Sequence, residues 1–133
     1  MVEKLLKLQK NAYCKYSNFP VSAIVVTKDD KEFYGVNVED ASYRAGACAE
    51  RVALFSMLAA GYKKGDVKEI NIMISNGDIG TPCFVCRQMI LELCEKTTKI
   101  NCYSTKGEFK TYTVEELCPY PFGEDDLKWN QDL

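Results

Sequence analysis

Four residues in two short segments have the types and spacing for metal chemistry. In "GACAERVALFS" (46–56), Cys48 stands two residues ahead of Glu50, and in "TPCFVCRQMI" (81–90), Cys83 and Cys86 form a C-x-x-C pair. That spacing lets two sulfurs converge on one tetrahedral ion. With Cys48 as a third thiolate, one tetrahedral position stays open, as in catalytic rather than structural zinc sites, where the pKa of a bound water falls to about 7. Glu50 leaves its helix at a different angle from Cys48, so it need not ligate the metal and is placed to exchange a proton with the metal's water. Alone, Glu50 would read as a first-turn acid favoured by the helix dipole, and a lone C-x-x-C as two packing cysteines. Their combination favours the metal reading.

These residues need two helix N-termini to hold them. The apolar run 48–60 is helical in length and Gly61 is placed to end it; the run 83–95 is helical by period, with Pro82 suited to the helix entry. Free N–H groups and the positive dipole end at such termini favour thiolate over thiol. Around them, residues 2–13 carry a rough helical stripe. The runs "VSAIVVTK" (21–28) and "EFYGVNVE" (32–39) read as a hairpin across "DDK", and "KEINIMIS" (68–75) reads as a buried strand. "KINCYST" and "EFKTYTV" flank "KG", a two-residue turn that can join only antiparallel strands, and the tail "GEDDLKWNQDL" reads as a weak polar helix. No repeat or linker interrupts the chain, so residues 1–133 are expected to form one α/β domain of about five strands with helices on both faces.

Composition narrows the chemistry further. The chain has 133 residues, enough for one core, and its charge of 17 − 19 = −2 gives no field for a polyanion, so nucleic acid is not an expected partner. The N-terminus has no signal-peptide pattern and no run nears the roughly 18 apolar residues of a membrane span, so a cytoplasmic protein with no membrane partner is expected. Seven cysteines, an odd number without an export signal, argue against a disulfide framework. The absence of histidine is more restrictive. It excludes Ser-His-Asp triads, Cys-His pairs and His-ligated metals, leaving thiolates or carboxylates to hold zinc and Glu, Asp, Lys, Tyr or water to move protons.

The pattern C-A-E followed by P-C-x-x-C is the zinc deaminase signature with Cys in place of His. With "AYCKYSNFPVSA", "GVNVEDASY", "GACAERVAL", "TPCFVCRQ" and "ELCPYPFGEDDL" in that order, the chain resembles the small, three-cysteine, homotetrameric cytidine deaminases over nearly its whole length. The resemblance implies a three-layer α-β-α cytidine deaminase-like fold with a mixed sheet whose last two strands are antiparallel. It implies Zn²⁺ on Cys48, Cys83 and Cys86 and Glu50 as proton shuttle. The activity implied is that of a hydrolase of pyrimidine salvage, converting cytidine and 2′-deoxycytidine to uridine and 2′-deoxyuridine plus ammonia. In the resembled family the N-x-E pair, here Asn37 and Glu39, binds the sugar. Phe19 matches the aromatic that packs on the pyrimidine, and Ala47 the position whose backbone holds the base edge. Phe122 matches a phenylalanine that reaches the pyrimidine of a neighbouring subunit.

Three thiolates on Zn²⁺ carry a net −1, which weakens the metal as a Lewis acid. Arg51 and Arg87 follow the proposed ligands closely, and guanidinium hydrogen bonds to sulfur would withdraw that charge. Departures from the family pattern fall at Ser22, Asp40, Phe84 and Val85, where Gly, Asn, Gly and Ala are usual; Ser22 is expected to narrow a backbone approach, and Phe84 and Val85 to alter the pocket floor. Cys14, Cys94, Cys102 and Cys118 match no ligand and read as packing residues. Alternatives are a closed structural zinc module, a blasticidin-type aminonucleoside deaminase, disfavoured by Glu39, and a nucleic-acid editing enzyme, disfavoured by the hairpin at "KG".

Overall fold

Strand β1 (Ser22–Thr27) is buried along its whole length because the chain covers both of its faces. In the computed structural model, which describes residues 1–128, β1 lies between two neighbours. It pairs antiparallel with β2 (Glu32–Val36) on one side and antiparallel with β3 (Val67–Met73) on the other. β3 pairs parallel with β4 (Lys99–Tyr103), and β4 antiparallel with β5 (Phe109–Thr113), giving the order β2-β1-β3-β4-β5. Alternation along the strands sorts their side chains into two cores. Ala23, Val25, Ile70, Ile72, Ile100 and Cys102 pack with α2 (Ala49–Ala59) and α3 (Phe84–Leu93). On the opposite face Ile24, Val26 and Met73 pack with Leu5 of α1 (Val2–Gln9). This is the expected three-layer arrangement with a mixed sheet.

The outer layer is incomplete. Beyond α1, the same face carries a polar ladder in which Asn101 Nδ2 donates to Asn71 Oδ1 (3.0 Å) and Thr111 Oγ1 donates to Asn101 Oδ1 (2.7 Å). Buried amides there keep their hydrogen bonds, as burial requires.

Local details differ from the sequence reading. The turn between β4 and β5 is three residues rather than two: Ser104 N–H donates to the Glu108 carbonyl (2.8 Å) and Gly107 takes φ +93°. A three-residue loop with glycine in the left-handed region keeps the strands antiparallel. Pro82 stands at the entry of α3, immediately before the N-cap Cys83. α1 ends at Gln9, and Tyr13 instead bridges Val38. Of the tail, residues 124–127 form a 3-10 turn, and 129–133 lie outside the described residues. One further short helix completes the fold: α4 (Val114–Leu117), opened by a capping box of Thr113 and Glu116.

Candidate metal centre and active site

Cys48 and Cys83 are themselves the N-caps of α2 and α3. Cysteine stands here where Ser, Thr, Asp or Asn would cap best, and at α3 the sulfur takes over the role: Cys83 Sγ accepts from Cys86 N–H at 3.5 Å. The two helix starts meet, so the Sγ atoms of Cys48, Cys83 and Cys86 all lie within 4.8 Å of one another, and Cys48 and Cys83 are 3.7 Å apart. A tetrahedron with zinc–sulfur bonds of about 2.3 Å has an edge of about 3.8 Å. The observed separation therefore fits zinc.

The thiols are not equivalent. Hydrogen bonding from Cys86 and from Arg51 lowers the pKa of Cys48 to about 5, while Cys86, donating to Cys48 and buried, is pushed up. Arg51 Nη2 lies 3.8 Å from Cys48 Sγ, and its buried Nε has no partner among the described residues. Glu50 is 4% exposed. Burial raises its carboxyl pKa above the usual range, and the Cys48 charge pushes the same way. A buried carboxyl with a raised pKa thus lies next to a three-thiol cluster.

A cavity of about 350 Å³, within the usual range for small-molecule sites, opens beside Cys48 and Arg51 and is walled by Tyr16, Ser17, Asn37, Glu39, Tyr43 and Ala47, among others. Its walls hang on the backbone that continues β2. Asn37 Nδ2 donates to the Phe19 carbonyl (2.8 Å) and its Oδ1 accepts from Val21 N–H (2.9 Å). Glu39 Oε1 accepts from the N–H groups of Tyr16 (3.2 Å) and Ser17 (3.0 Å), and Oε2 from the Ser17 hydroxyl. That hydroxyl bond, with the two amides, holds the Glu39 carboxyl below its ordinary pKa. Val38 exchanges both backbone hydrogen bonds with Ala47, each 3.0 Å, so the residue before Cys48 is locked to this same strand.

Residues 1–103 match the family model for the cytidine and deoxycytidylate deaminase zinc-binding region. The chain belongs to this family. A cytidine deaminase of Halalkalibacterium halodurans is 35% identical over 127 residues, covering 96% of this chain and 95% of the relative. One of Sporosarcina psychrophila is 33% identical over 132 residues, covering 96% of each. The crystal structure of a cytidine deaminase from Burkholderia pseudomallei superposes with a TM-score of 0.87 at 40% identity, covering 91% of this chain and 95% of that one. Zinc is accordingly the metal of this deaminase domain, and the three-thiol cluster is suited to it.

Other positions of the deaminase domain fall differently from the sequence reading. The Arg87 guanidinium does not reach a thiolate: it donates to the carbonyls of Pro82 and Leu117 (both 2.8 Å) and to Thr81 Oγ1 (2.9 Å), bracing the segment that leads into Cys83. Oxygen acceptors on three sides take up its nitrogens. Ser22 does not narrow the cavity either; it is buried under α1, where its Oγ donates to the Leu5 carbonyl at 2.8 Å. Phe84 and Val85 are exposed rather than part of a pocket floor, and the Phe84 ring stacks on the Arg87 guanidinium at 4.3 Å. Phe19, partly exposed, and Phe122, at 57%, are not among the side chains lining the cavity. All seven cysteines are free, and burial raises the thiols of Cys94 and Cys102 to about 12, as packing residues require. Tyr16, Ser17 and Tyr43 were not anticipated as walls. Their only signal is the turn-forming letters of "YSNFP" and "DASYRAG".

Proposed function

We propose that this chain is a zinc-dependent hydrolase acting on a cyclic amidine, converting cytidine and 2′-deoxycytidine to uridine and 2′-deoxyuridine with release of ammonia. The observation that carries the reading is the buried Glu50 beside the three-thiol cluster, whose Cys48 lines a cavity large enough for a small molecule. Cys48, Cys83 and Cys86 hold the zinc. Bound there, zinc supplies Lewis acidity that makes water a nucleophile near neutral pH.

The remaining work belongs to the chain. Glu50, its carboxyl pKa raised by burial, donates a proton to N3 of cytosine and then passes one from the attacking water to the departing amino group. Arg51 draws charge from Cys48 through its 3.8 Å contact. Ala47 has its N–H engaged by Val38, which leaves the second lone pair of its carbonyl for the exocyclic amino group of the base. Asn37 keeps one donor and one acceptor free after its bonds to Phe19 and Val21. Glu39 retains about one acceptor position after three bonds. Both suit a ribose hydroxyl, and the Glu39 charge disfavours a phosphate close by.

The proposal extends to assembly and place. The enzyme is a homotetramer, cytoplasmic and part of pyrimidine salvage, in which Phe122 completes a neighbouring subunit's site. Support comes from the exposed ring of Phe122, which is not among the walls of its own chain's cavity, while Gln88 Nε2 donates to its carbonyl at 2.7 Å. The direct test is the fall in ultraviolet absorbance when the zinc-loaded protein meets cytidine, deoxycytidine or CMP. Turnover of both nucleosides with CMP a very poor substrate is expected. A protein inert towards both nucleosides overturns the reading.

A further inference from the structure

Asp40 has both of its carboxylate oxygens in use. Oδ1 accepts from Ser42 N–H (2.8 Å) and from the Ser42 hydroxyl, and Oδ2 accepts from Gly46 N–H (2.8 Å). These bonds, the Ser42 hydroxyl foremost, hold its carboxyl below the ordinary carboxylate range. Asparagine has one acceptor oxygen and an NH₂ group that only donates. At this position one end of the amide would face a backbone N–H, donor against donor. The loop as built therefore calls for a carboxylate.

What Asp40 ties is one wall of the cavity. Tyr43 stands on this loop in the left-handed region (φ +63°), which costs energy for an aromatic residue unless its surroundings impose it. Its ring meets Tyr16 edge-on at 5.9 Å. At the other end of the loop, Gly46 lies so close to the strand that a Cβ there would sit 2.2 Å from the Val38 carbonyl oxygen. Ala47 and Cys48 follow directly, the first paired with Val38 and the second a thiol of the cluster. Consecutive residues thus divide the labour, Glu39 holding the Tyr16–Ser17 wall and Asp40 the 42–46 wall.

We infer that Asp40 is a positioning residue for substrate binding, its doubly accepting carboxylate fixing the 42–46 loop so that Tyr43 and the Ala47 backbone meet the nucleoside. The inference rests on the proposed deamination of cytidine. Its test is Asp40→Asn, an isosteric change, with Ser42→Ala as a milder companion that removes the hydroxyl's bond to Asp40 and the long 3.4 Å bond it accepts from Arg44 N–H, leaving both backbone amides on the carboxylate. In Asp40→Asn, amide hydrogen exchange across 42–47 should quicken. KM for cytidine should rise about tenfold, the scale of a lost charge-assisted hydrogen bond, with kcat within about twofold and zinc content unchanged. Ser42→Ala should shift both readouts in the same direction by less. Unchanged exchange in Asp40→Asn overturns the tie whatever the kinetics show. Faster exchange with unchanged KM overturns the positioning role, and so does a fall confined to kcat. An inactive parent protein would count against the deaminase reading, and the exchange data then decide the tie by themselves.

Discussion

Glu50 is unusual among the acidic residues in being buried, and the cause of its behaviour is local. It lies in the first turn of α2 beside Cys48, where water is excluded and a neighbouring thiolate opposes a second negative charge. Replacing it with glutamine preserves shape and hydrogen-bonding length but removes the exchangeable proton. Glu50→Gln should keep its zinc and lose about 10²–10⁴ in kcat, the usual scale of a lost general acid–base. Metal analysis alongside steady-state kinetics checks this, and near-normal turnover would remove Glu50 from the mechanism. At this scale the sequence was informative where chemistry dictates residue type, as at Cys48, Glu50, Cys83 and Cys86. It was less so where a side chain has several available partners. Arg51 and Arg87 each follow a cysteine closely, yet Arg51 reaches sulfur while Arg87 finds two carbonyls and a hydroxyl. A long side chain's choice among acceptors depends on segments distant in the chain, here Leu117 for Arg87.

The placement of α2 against β2 decides how accurately Cys48 and Glu50 are held. Gly35, the last residue but one of β2, makes that placement possible: a Cβ at this position would stand 2.1 Å from the Ala49 carbonyl oxygen and 2.6 Å from Ala53 N. Both are backbone atoms of α2, which cannot step aside like the end of a flexible side chain. Gly35→Ala should therefore push the helix outward, costing about 1–3 kcal/mol as overpacking usually does. Because Cys48 caps this helix, zinc affinity should fall with stability. Denaturant unfolding and a zinc competition titration would show it; wild-type values in both would mean that α2 is not seated through Gly35. Element types and order were readable from period and composition, since β1 through β5 each carry β-branched or aromatic runs. Boundaries and turn lengths were not. The loop at Gly107 needed its backbone angle, and α1 stops short of its apolar stripe because Tyr13 is drawn into pairing with Val38.

At the scale of the whole molecule, one chain offers a cavity with walls but places Phe122 elsewhere, beside Phe84, Arg87 and Gln88. If that ring serves a neighbouring subunit, complementation follows. Phe122→Ala retains Glu50 but lacks the ring, and Glu50→Gln retains the ring but lacks the proton carrier. Co-refolded mixed tetramers should be more active than the mean of the two parents, because a Glu50→Gln subunit lends Phe122 to a partner that keeps Glu50. Activity no higher than that mean, with mixed tetramers confirmed by native mass spectrometry, would place Phe122 in its own subunit's packing.

The sequence by itself determined the chemistry and the class of fold. With no histidine in the chain, three cysteines and a glutamate at helix starts leave few roles for a metal other than the one assigned, and alternating apolar runs call for a sheet between helices. These are consequences of residue type and short spacing, which survive in a linear string. Tertiary structure alone decided how the walls are held: Asn37 to the 19–21 segment, Glu39 to Tyr16 and Ser17, Asp40 to Ser42 and Gly46. It also sent Ser22 to α1 and Arg87 to the Leu117 carbonyl. Such pairings join groups whose hydrogen-bonding capacity is common to many residues, so only the folded chain, by bringing a particular donor to a particular acceptor and excluding water from both, selects among them.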